Sequence, residues 1–317
     1  MLETSIEVAA VVAAVVLAAI GGELFLTGVL GTAKSLRLPR GFVATTIAAA
    51  VTSAPELFVS IVAAGSGRPE IGLGDTLGSN VVNIALVLGL VLLHRSVAAA
   101  AAERTTAAAA LIAPFVLFVL LLDGRLERWE GGLLVGLFVA WVVFGFFAGR
   151  RHHAAEVDEM AALPRRSAAM AAAYLAVGVM MLVGAGRLFV FGAVGLATRI
   201  GIDDYVIGAT VVAIGTSLPE LTTVVASRRR GHDDIGLGTL LGSNLFNGLA
   251  IVGIAASIAP IAVAVAEVAV ALVFGWVSMI LVLPRGRVVP RSRGALLLAV
   301  YVAYVLATLA VTIAEAV

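Results

Sequence analysis

The chain has 317 residues, of which 61% are hydrophobic and 13% charged, with a mean hydropathy of +1.10. A soluble domain carries about 25% charged residues, so this composition excludes a soluble globular protein and places the chain in a bilayer. The absence of cysteine excludes disulfides, thiolate metal centres and thiol catalysis, and a net charge of +1 gives no sign of a nucleic-acid partner.

A membrane span needs about 20 mainly apolar residues. Ten segments qualify, roughly 8–32, 41–65, 71–93, 104–122, 130–149, 168–197, 205–227, 235–257, 261–283 and 294–314. The N-terminus carries Glu3 and Glu7 and no early Lys or Arg. It lacks the basic start of a cleavable signal, so the first apolar run is expected to be a retained span. The Ala-rich stretch 97–110 is the weakest of the set and could begin as an interfacial helix leading into the fourth span.

Basic residues set the orientation, because cytoplasmic loops collect Lys and Arg. With the N-terminus outside, 16 of the 21 basic residues fall on the cytoplasmic side, from Lys34 and Arg37 to Arg291 and Arg293. Only Arg68, Arg125, Arg128, Arg187 and Arg199 fall elsewhere. The expected protein is therefore a multi-pass protein of the cell (cytoplasmic) membrane, with both termini outside and lipid as its surroundings. No segment marks an obligate protein partner.

Two phrases recur. Residues 52–57 read TSAPEL and 216–221 read TSLPEL; residues 72–83 read GLGDTLGSNVVN and 236–247 read GLGTLLGSNLFN. The offset is constant: Glu56 and Glu220 lie 164 residues apart, as do Asn83 and Asn247. The chain thus divides into a first five-helix unit (1–149), a cytoplasmic linker (150–167) and a second five-helix unit (168–317). Five is odd, so the second copy must enter the membrane in the opposite sense. That is an inverted repeat, an architecture of secondary transporters. The expected fold is all-α, with ten transmembrane helices as two inverted repeats, helices 2, 3, 7 and 8 being broken around a shared site. The linker reads as solvated chain; its His152, His153 and Glu156 are a weak alternative metal set.

Each repeat places a Glu beside a Pro at membrane depth, and an intramembrane ionisable residue marks a functional site by default. Pro55 and Pro219 have no amide hydrogen, so the carbonyls of Val51 and Gly215 lose their helical donor. Such loosened backbone survives in a membrane only where it is buried in protein or lines a polar cavity. Around it stand the hydroxyls of Thr52, Ser53, Thr216 and Ser217 and the carboxylates of Glu56 and Glu220. In the second phrase, Ser79 and Asn83 lie four residues apart on one helix face, as do Ser243 and Asn247. The set is all oxygen, without His or Cys. Hard cations want such ligands, calcium taking about 6–8 oxygens. One divalent ion, or several monovalent ions, would neutralise the two carboxylates, and competition for them is a physical basis for exchange.

Other readings of the same residues are weaker. A channel would conduct without counter-ion, which the inverted repeat disfavours. A hydrolytic carboxylate dyad would need a nucleophile or a water-activating metal set that the repeats lack. Glu23 and Arg187 occupy equivalent positions and could pair with each other or sit near an interface. Asp75, opposite Thr239, is expected in the first turn of span 3 near the outer face, where a helix N-terminus favours an acid; the alternative is a cation-attracting role at the entry.

The phrases GTSLPEL (215–221) and GSN-x-x-N (242–247) resemble those of the calcium/cation antiporter superfamily, and within it the prokaryotic sodium/calcium exchangers. The resemblance implies a central bundle of spans 2, 3, 7 and 8, with spans 1 and 6 sliding across it. It implies that Glu56 and Glu220 are shared ligands of calcium and sodium, and that Thr52 and Thr216 offer backbone carbonyls to calcium. It assigns Ser53, Ser217, Ser79, Ser243 and the carbonyls of Ala49 and Ala213 to sodium, with Asn83 and Asn247 lining the middle. Ca2+ and Na+ are then substrates, and no cofactor or enzymatic activity is implied. Three departures stand out: Val51 where the second copy has Gly215, Asp75 where Asn is usual, and Asn at both 83 and 247. Asn cannot titrate, which favours sodium coupling over the alternative, a proton-coupled antiporter for calcium or another divalent ion.

Overall fold

The computed structural model describes residues 2–36, 38, 40–67, 69–99, 101–152, 167–199, 213–263, 265–283 and 286–315. The linker residues 153–166, with His153 and Glu156, and residues 205–212 of the expected seventh span lie outside the described residues.

The described residues form an all-helical bundle. Its helices are α1 (Leu2–Leu36), α2 (Gly41–Thr52), α3 (Ala54–Gly65), α4 (Pro69–His94), α5 (Ala101–Leu120) and α6 (Arg128–His152). They continue as α7 (Ala168–Arg199), α8 (Ala213–Thr216), α9 (Leu218–Arg229), α10 (Asp233–Ile258), α11 (Val265–Val282) and α12 (Arg293–Glu315). Seven of these are long and apolar enough to cross a membrane, or eight if α2 and α3 count as one bent span. The Ala-rich stretch is not an interfacial helix: Val97–Ala98 is a short strand, and α5 runs without a break from Ala101.

Burial sorts the helices. In α4 and α10, 83% of the central window is buried, against 11% in α6 and 17% in α12. The outer helices turn Val15, Phe115, Phe144 and Leu306 outward, each more than half exposed. Such a surface suits lipid and would be a liability in water.

The expected breaks occur in one of the two motif helices of each half. Ser53 (φ −85°, ψ 14°) leaves the helical conformation between α2 and α3, and their axes bend by 48°. Ser217 (φ −83°, ψ 5°) does the same between α8 and α9. The expectation that spans 3 and 8 are broken is corrected: α4 and α10 run uninterrupted. Their glycines do not interrupt them. Instead each winds wider through a π-helical stretch, Val82–Leu88 in α4 and Phe246–Ile251 in α10. Such turns occur frequently at functional sites. The turns that follow α3 and α9 each need a left-handed glycine, Gly67 (φ 76°) and Gly231 (φ 75°), again 164 residues apart.

Two short antiparallel ribbons tie the halves together: Val97–Ala98 with Val288–Val289, and Arg125–Leu126 with Ile261–Ala262. Shifting the first ribbon by 164 gives the second, to within one residue.

α1 and α7 form an antiparallel pair on the flank of the bundle. At about 1.5 Å per residue, the 35 residues of α1 extend about 50 Å, well beyond a hydrocarbon core of about 30 Å. A helix that long must tilt or project. Their seam is lined with glycine. A Cβ on Gly28 would sit 2.5 Å from the Leu175 amide nitrogen, and one on Gly178 would sit 2.5 Å from that of Phe25. Small residues at such a seam let helix backbones approach closely in a membrane. Arg199 closes one end by donating to Glu7 at 2.7 Å.

Glycine also sets the closest approach of the core. A Cβ on Gly242 would collide with the carbonyl oxygen of Thr45 in α2, whereas Gly132 on α6 meets nothing within 4 Å among the described residues. Overpacking costs about 1–3 kcal/mol. Gly242→Ala should therefore lower the midpoint of thermal unfolding in detergent by several degrees, while Gly132→Ala leaves it within about a degree; equal effects would contradict the contact.

Candidate functional site

The two helix breaks bring the TSxPEL phrases to the centre of the bundle. Each break creates a new helix N-terminus inside the apolar core, with its Glu in the first turn: Glu56 on α3 and Glu220 on α9. A helix N-terminus carries partial positive charge and favours an acid there. Both glutamates are fully buried, and among the described residues neither pairs with a base. Glu56 lies within electrostatic reach of Glu220. Two such charges without a counter-ion are expensive in a low-dielectric interior.

Hydroxyls surround them. Ser53 donates to Glu220 Oε1 at 3.0 Å, and Ser243 donates to the same oxygen at 3.2 Å. Thr52 and Ser243 share a hydrogen bond of 3.3 Å, and so do their counterparts Thr216 and Ser79, at 3.3 Å. The carbonyl of Ala49 accepts from the Ser53 amide (3.0 Å) and Thr52 (3.1 Å), and the Ser243 hydroxyl lies 3.4 Å away as an alternative donor. The carbonyl of Ala213 accepts from the Ser217 amide (3.1 Å) and Thr216 (3.2 Å). The motif oxygens therefore bond mainly to one another and to the carboxylates.

The satisfaction is uneven. Glu220 keeps one oxygen, Oε2, without a partner, while neither Oε1 nor Oε2 of Glu56 has one among the described residues. Ser217, the counterpart of Ser53, is buried with its hydroxyl unpartnered. Buried polar atoms are nearly always hydrogen-bonded, so a cluster of exceptions in one place points to a missing partner. Among the described residues no three His, Cys, Asp or Glu side chains gather at metal-binding distance. A cation held here would have to combine the carboxylates with hydroxyl, amide and carbonyl oxygens.

The amides sit one layer away, in the π-helical turns. Asn83 and Asn247 are fully buried. Asn83 donates to Asn244 Oδ1 at 3.3 Å, whereas both polar atoms of Asn247 are unpartnered. The sequence reading passed over the middle residue of GSN. Asn80 donates to the Asn244 carbonyl at 3.3 Å, and Asn244 donates back to the Asn80 carbonyl at 3.1 Å. The partners are 164 residues apart, so the contact is its own mirror image across the two halves, like an isologous interface within one chain. The duplicated Asn is visible in the sequence, but nothing local marks it as a bridge between the halves.

Two further expectations are corrected. Glu23 does not pair with Arg187. It forms an ion pair with Arg230, which also donates to Thr27 at 2.9 Å, and Arg187 is exposed. Asp75 is not in the first turn of its helix: α4 begins at Pro69, Glu70 is the first-turn acid, and Asp75 lies within electrostatic reach of Glu56. Val51 replaces Gly215 because the surroundings differ. Val51 packs into an apolar cluster with Leu175 and Val179, whereas α7 lies so close to Gly215 that any side chain there would meet Val190.

A buried, oxygen-only cluster between two sequence-related halves of a membrane bundle belongs to an ion transporter rather than an enzyme. The family model described as sodium/calcium exchanger protein matches residues 6–147 and again residues 170–310, and the chain belongs to that family of membrane cation/Ca2+ antiporters. The chain is similar to the candidate antiporter CaxA of Alkalimonas amylolytica, at 34% identity over 89% of this chain and 92% of that protein. It is 25% identical to the sodium/calcium exchanger MaX1 of Methanosarcina acetivorans, over 90% of this chain and 93% of that one. Among solved structures, the sodium-calcium exchanger NCX_Mj soaked with 100 mM Na+ and 10 mM Sr2+ superposes with a TM-score of 0.79. The identity is 25%, covering 94% of this chain and 97% of that one.

The clasp makes a testable prediction. Asn80→Ala and Asn244→Ala each leave one buried carbonyl without its side-chain donor, a loss of about 1 kcal/mol. Thermal unfolding should show a destabilisation in both variants, the larger in Asn244→Ala, which also deprives the Asn83 amide of its Oδ1 acceptor. A large effect in one variant and none in the other would contradict the reciprocal bond.

Proposed function

We propose that the protein is a secondary active antiporter that extrudes Ca2+ in exchange for entering Na+ by alternating access. The observation that carries this reading is the buried pair Glu56 and Glu220, which lacks any basic partner among the described residues and is ringed by hydroxyl, amide and carbonyl oxygens. One Ca2+ neutralises the pair; so do sodium ions taking the carboxylates with the hydroxyls of Ser53, Ser217, Ser79 and Ser243 and the carbonyls of Ala49 and Ala213. Thr52 and Thr216 contribute carbonyls to Ca2+, and Asn83 and Asn247 line the middle of the site. Because the ions compete for the same two charges, loading one releases the other.

Coupling follows from the cost of the bare site. α1 and α7, the long flanking pair, slide across the bundle to expose the site to either side. An empty site presents two uncompensated carboxylates to the passing apolar barrier, so only loaded forms cross readily. Sequence similarity to relatives that are named as sodium/calcium exchangers supports sodium as the driver, and so do Asn83 and Asn247, which cannot carry a proton. The proposed architecture is two inverted five-span repeats, 1–149 and 168–317, joined by a cytoplasmic linker at 150–167, in the cell membrane with both termini outside. It is supported by the doubled family match and by the contacts that repeat at an offset of 164. One observation favours a second reading, proton coupling: among the described residues neither oxygen of Glu56 has a close hydrogen-bond partner, and protonation would neutralise that carboxylate.

Radiolabelled Ca2+ uptake into sodium-loaded proteoliposomes, with a protonophore present, separates the two. Uptake should require the outward sodium gradient and survive the protonophore; collapse with the protonophore would establish the proton reading. Glu56→Gln and Glu220→Gln should each lower the rate at least about 100-fold with unfolding midpoints at or above wild type; activity in either would sink the site assignment. Orientation is tested separately, because the chain has no native cysteine. Ser66→Cys should react with a membrane-impermeant maleimide from outside intact cells, and Arg229→Cys only after permeabilisation.

A further inference from the structure

Asp75 is the one acid of the repeated phrases without an acidic counterpart: the equivalent residue is Thr239, which is fully buried and donates to the Ile235 carbonyl at 2.8 Å. Asp75 is built differently. It is half-buried, its Oδ2 is enclosed without a hydrogen-bond partner, and among the described residues it forms no ion pair. It sits four residues before Ser79 and eight before Asn83, so the three share one face of α4. Ser79 bonds Thr216, and the Thr216 side chain also interacts with Asp75. Beyond them lies Glu56, wholly buried, with both carboxylate oxygens unpartnered.

The two sides of the site differ in access. Gly74 is exposed and Asp75 and Thr216 are half-buried, whereas their counterparts Gly238, Thr239 and Thr52 are buried. A carboxylate thus stands on the more accessible side, in line with the central pair and one helical turn from the nearest hydroxyl of the site. It repels Glu56 unless a cation lies between or beside them.

We propose that Asp75, with the hydroxyls of Thr216 and Ser79, forms a cation-capture site on the face of the bundle that carries the 65–69 turn, where a calcium or sodium ion binds before it passes to Glu56 and Glu220. The inference rests on the antiport reading and adds a functional asymmetry to it: the cation meets a carboxylate first on one side and only hydroxyls first on the other. Asp75 is separate from the central pair, because no three acids cluster at metal-binding distance among the described residues. It is therefore a relay site whose charge raises the local cation concentration on one side.

The test compares wild type, Asp75→Asn and Asp75→Glu in right-side-out and everted membrane vesicles, measuring the apparent KM for Ca2+ at each face. Asp75→Asn is isosteric, and an unchanged unfolding midpoint verifies its fold. The expected result is a rise of about tenfold in KM at the face bearing the 65–69 turn, less than about twofold at the other, and recovery of most of the loss in Asp75→Glu. Equal changes at both faces, or a fall in maximal rate with unchanged KM, would overturn the capture site while leaving the antiporter intact. Equilibrium binding of radiolabelled Ca2+ to the purified protein in detergent provides a readout that does not need transport. Asp75→Asn should bind fewer ions at saturation than wild type; if wild type fails to exchange yet shows this difference, the antiport reading falls and the capture site stands. Identical binding curves would overturn the site.

Discussion

Two carboxylates buried in an apolar bundle, without a basic residue to answer them among the described residues, are the constraint around which the molecule is organised. Charge at this depth is tolerated only when something compensates it. Here the compensation inside the protein is partial. Two helix N-termini point at the glutamates, and Ser53 and Ser243 both donate to one oxygen of Glu220. Glu56 receives less, and among the described residues Ser217 and Asn247 are likewise buried with polar atoms unpartnered. A permanent structural ion pair would have satisfied these groups with an arginine or lysine. A site that must bind and release a cation cannot, because a resident base would hold the carboxylates closed to ions.

The helix breaks follow from the same need. Proline immediately before each glutamate removes a backbone donor, and Ser53 and Ser217 take non-helical conformations that let α3 and α9 begin inside the apolar core. α4 and α10 answer with π-helical turns rather than breaks, so they remain continuous supports while shifting Asn83 and Asn247. Across them the Asn80–Asn244 clasp ties the two halves at a point of near symmetry. Departures from that symmetry are informative: Glu220 accepts close hydrogen bonds from two serines while Glu56 has none as close among the described residues, Gly215 is crowded where Val51 fills space, and Asp75 has no acidic mate.

Much of this was legible in the residues. Fixed spacing between TSAPEL and TSLPEL pointed to duplication, and Pro beside Glu in apolar runs located the breaks at Ser53 and Ser217, because proline acts on its own helix and needs no tertiary information. The features that depended on partners far away in sequence were not legible. The broken form expected of spans 3 and 8 depended on such partners: their glycines sit within continuous helices, where Gly72 lies close against Ser60 and Gly242 makes room for the Thr45 carbonyl. Glu23 looked like the mate of Arg187 by repeat position, yet the antiparallel lie of α1 and α7 carries it to Arg230 instead. Asn80 and Asn244 were passed over since nothing local distinguishes an amide that crosses between halves from one that lines a site.

The central claim is that one shared pair of carboxylates serves two competing ions. It is tested most directly by equilibrium binding of radiolabelled Ca2+ to the purified protein in detergent across a sodium titration at fixed pH, with choline as the control cation. Competition predicts that sodium displaces Ca2+ steeply and completely, with more than one sodium replacing each Ca2+, while choline does nothing. Ca2+ binding that sodium leaves unchanged would contradict the account.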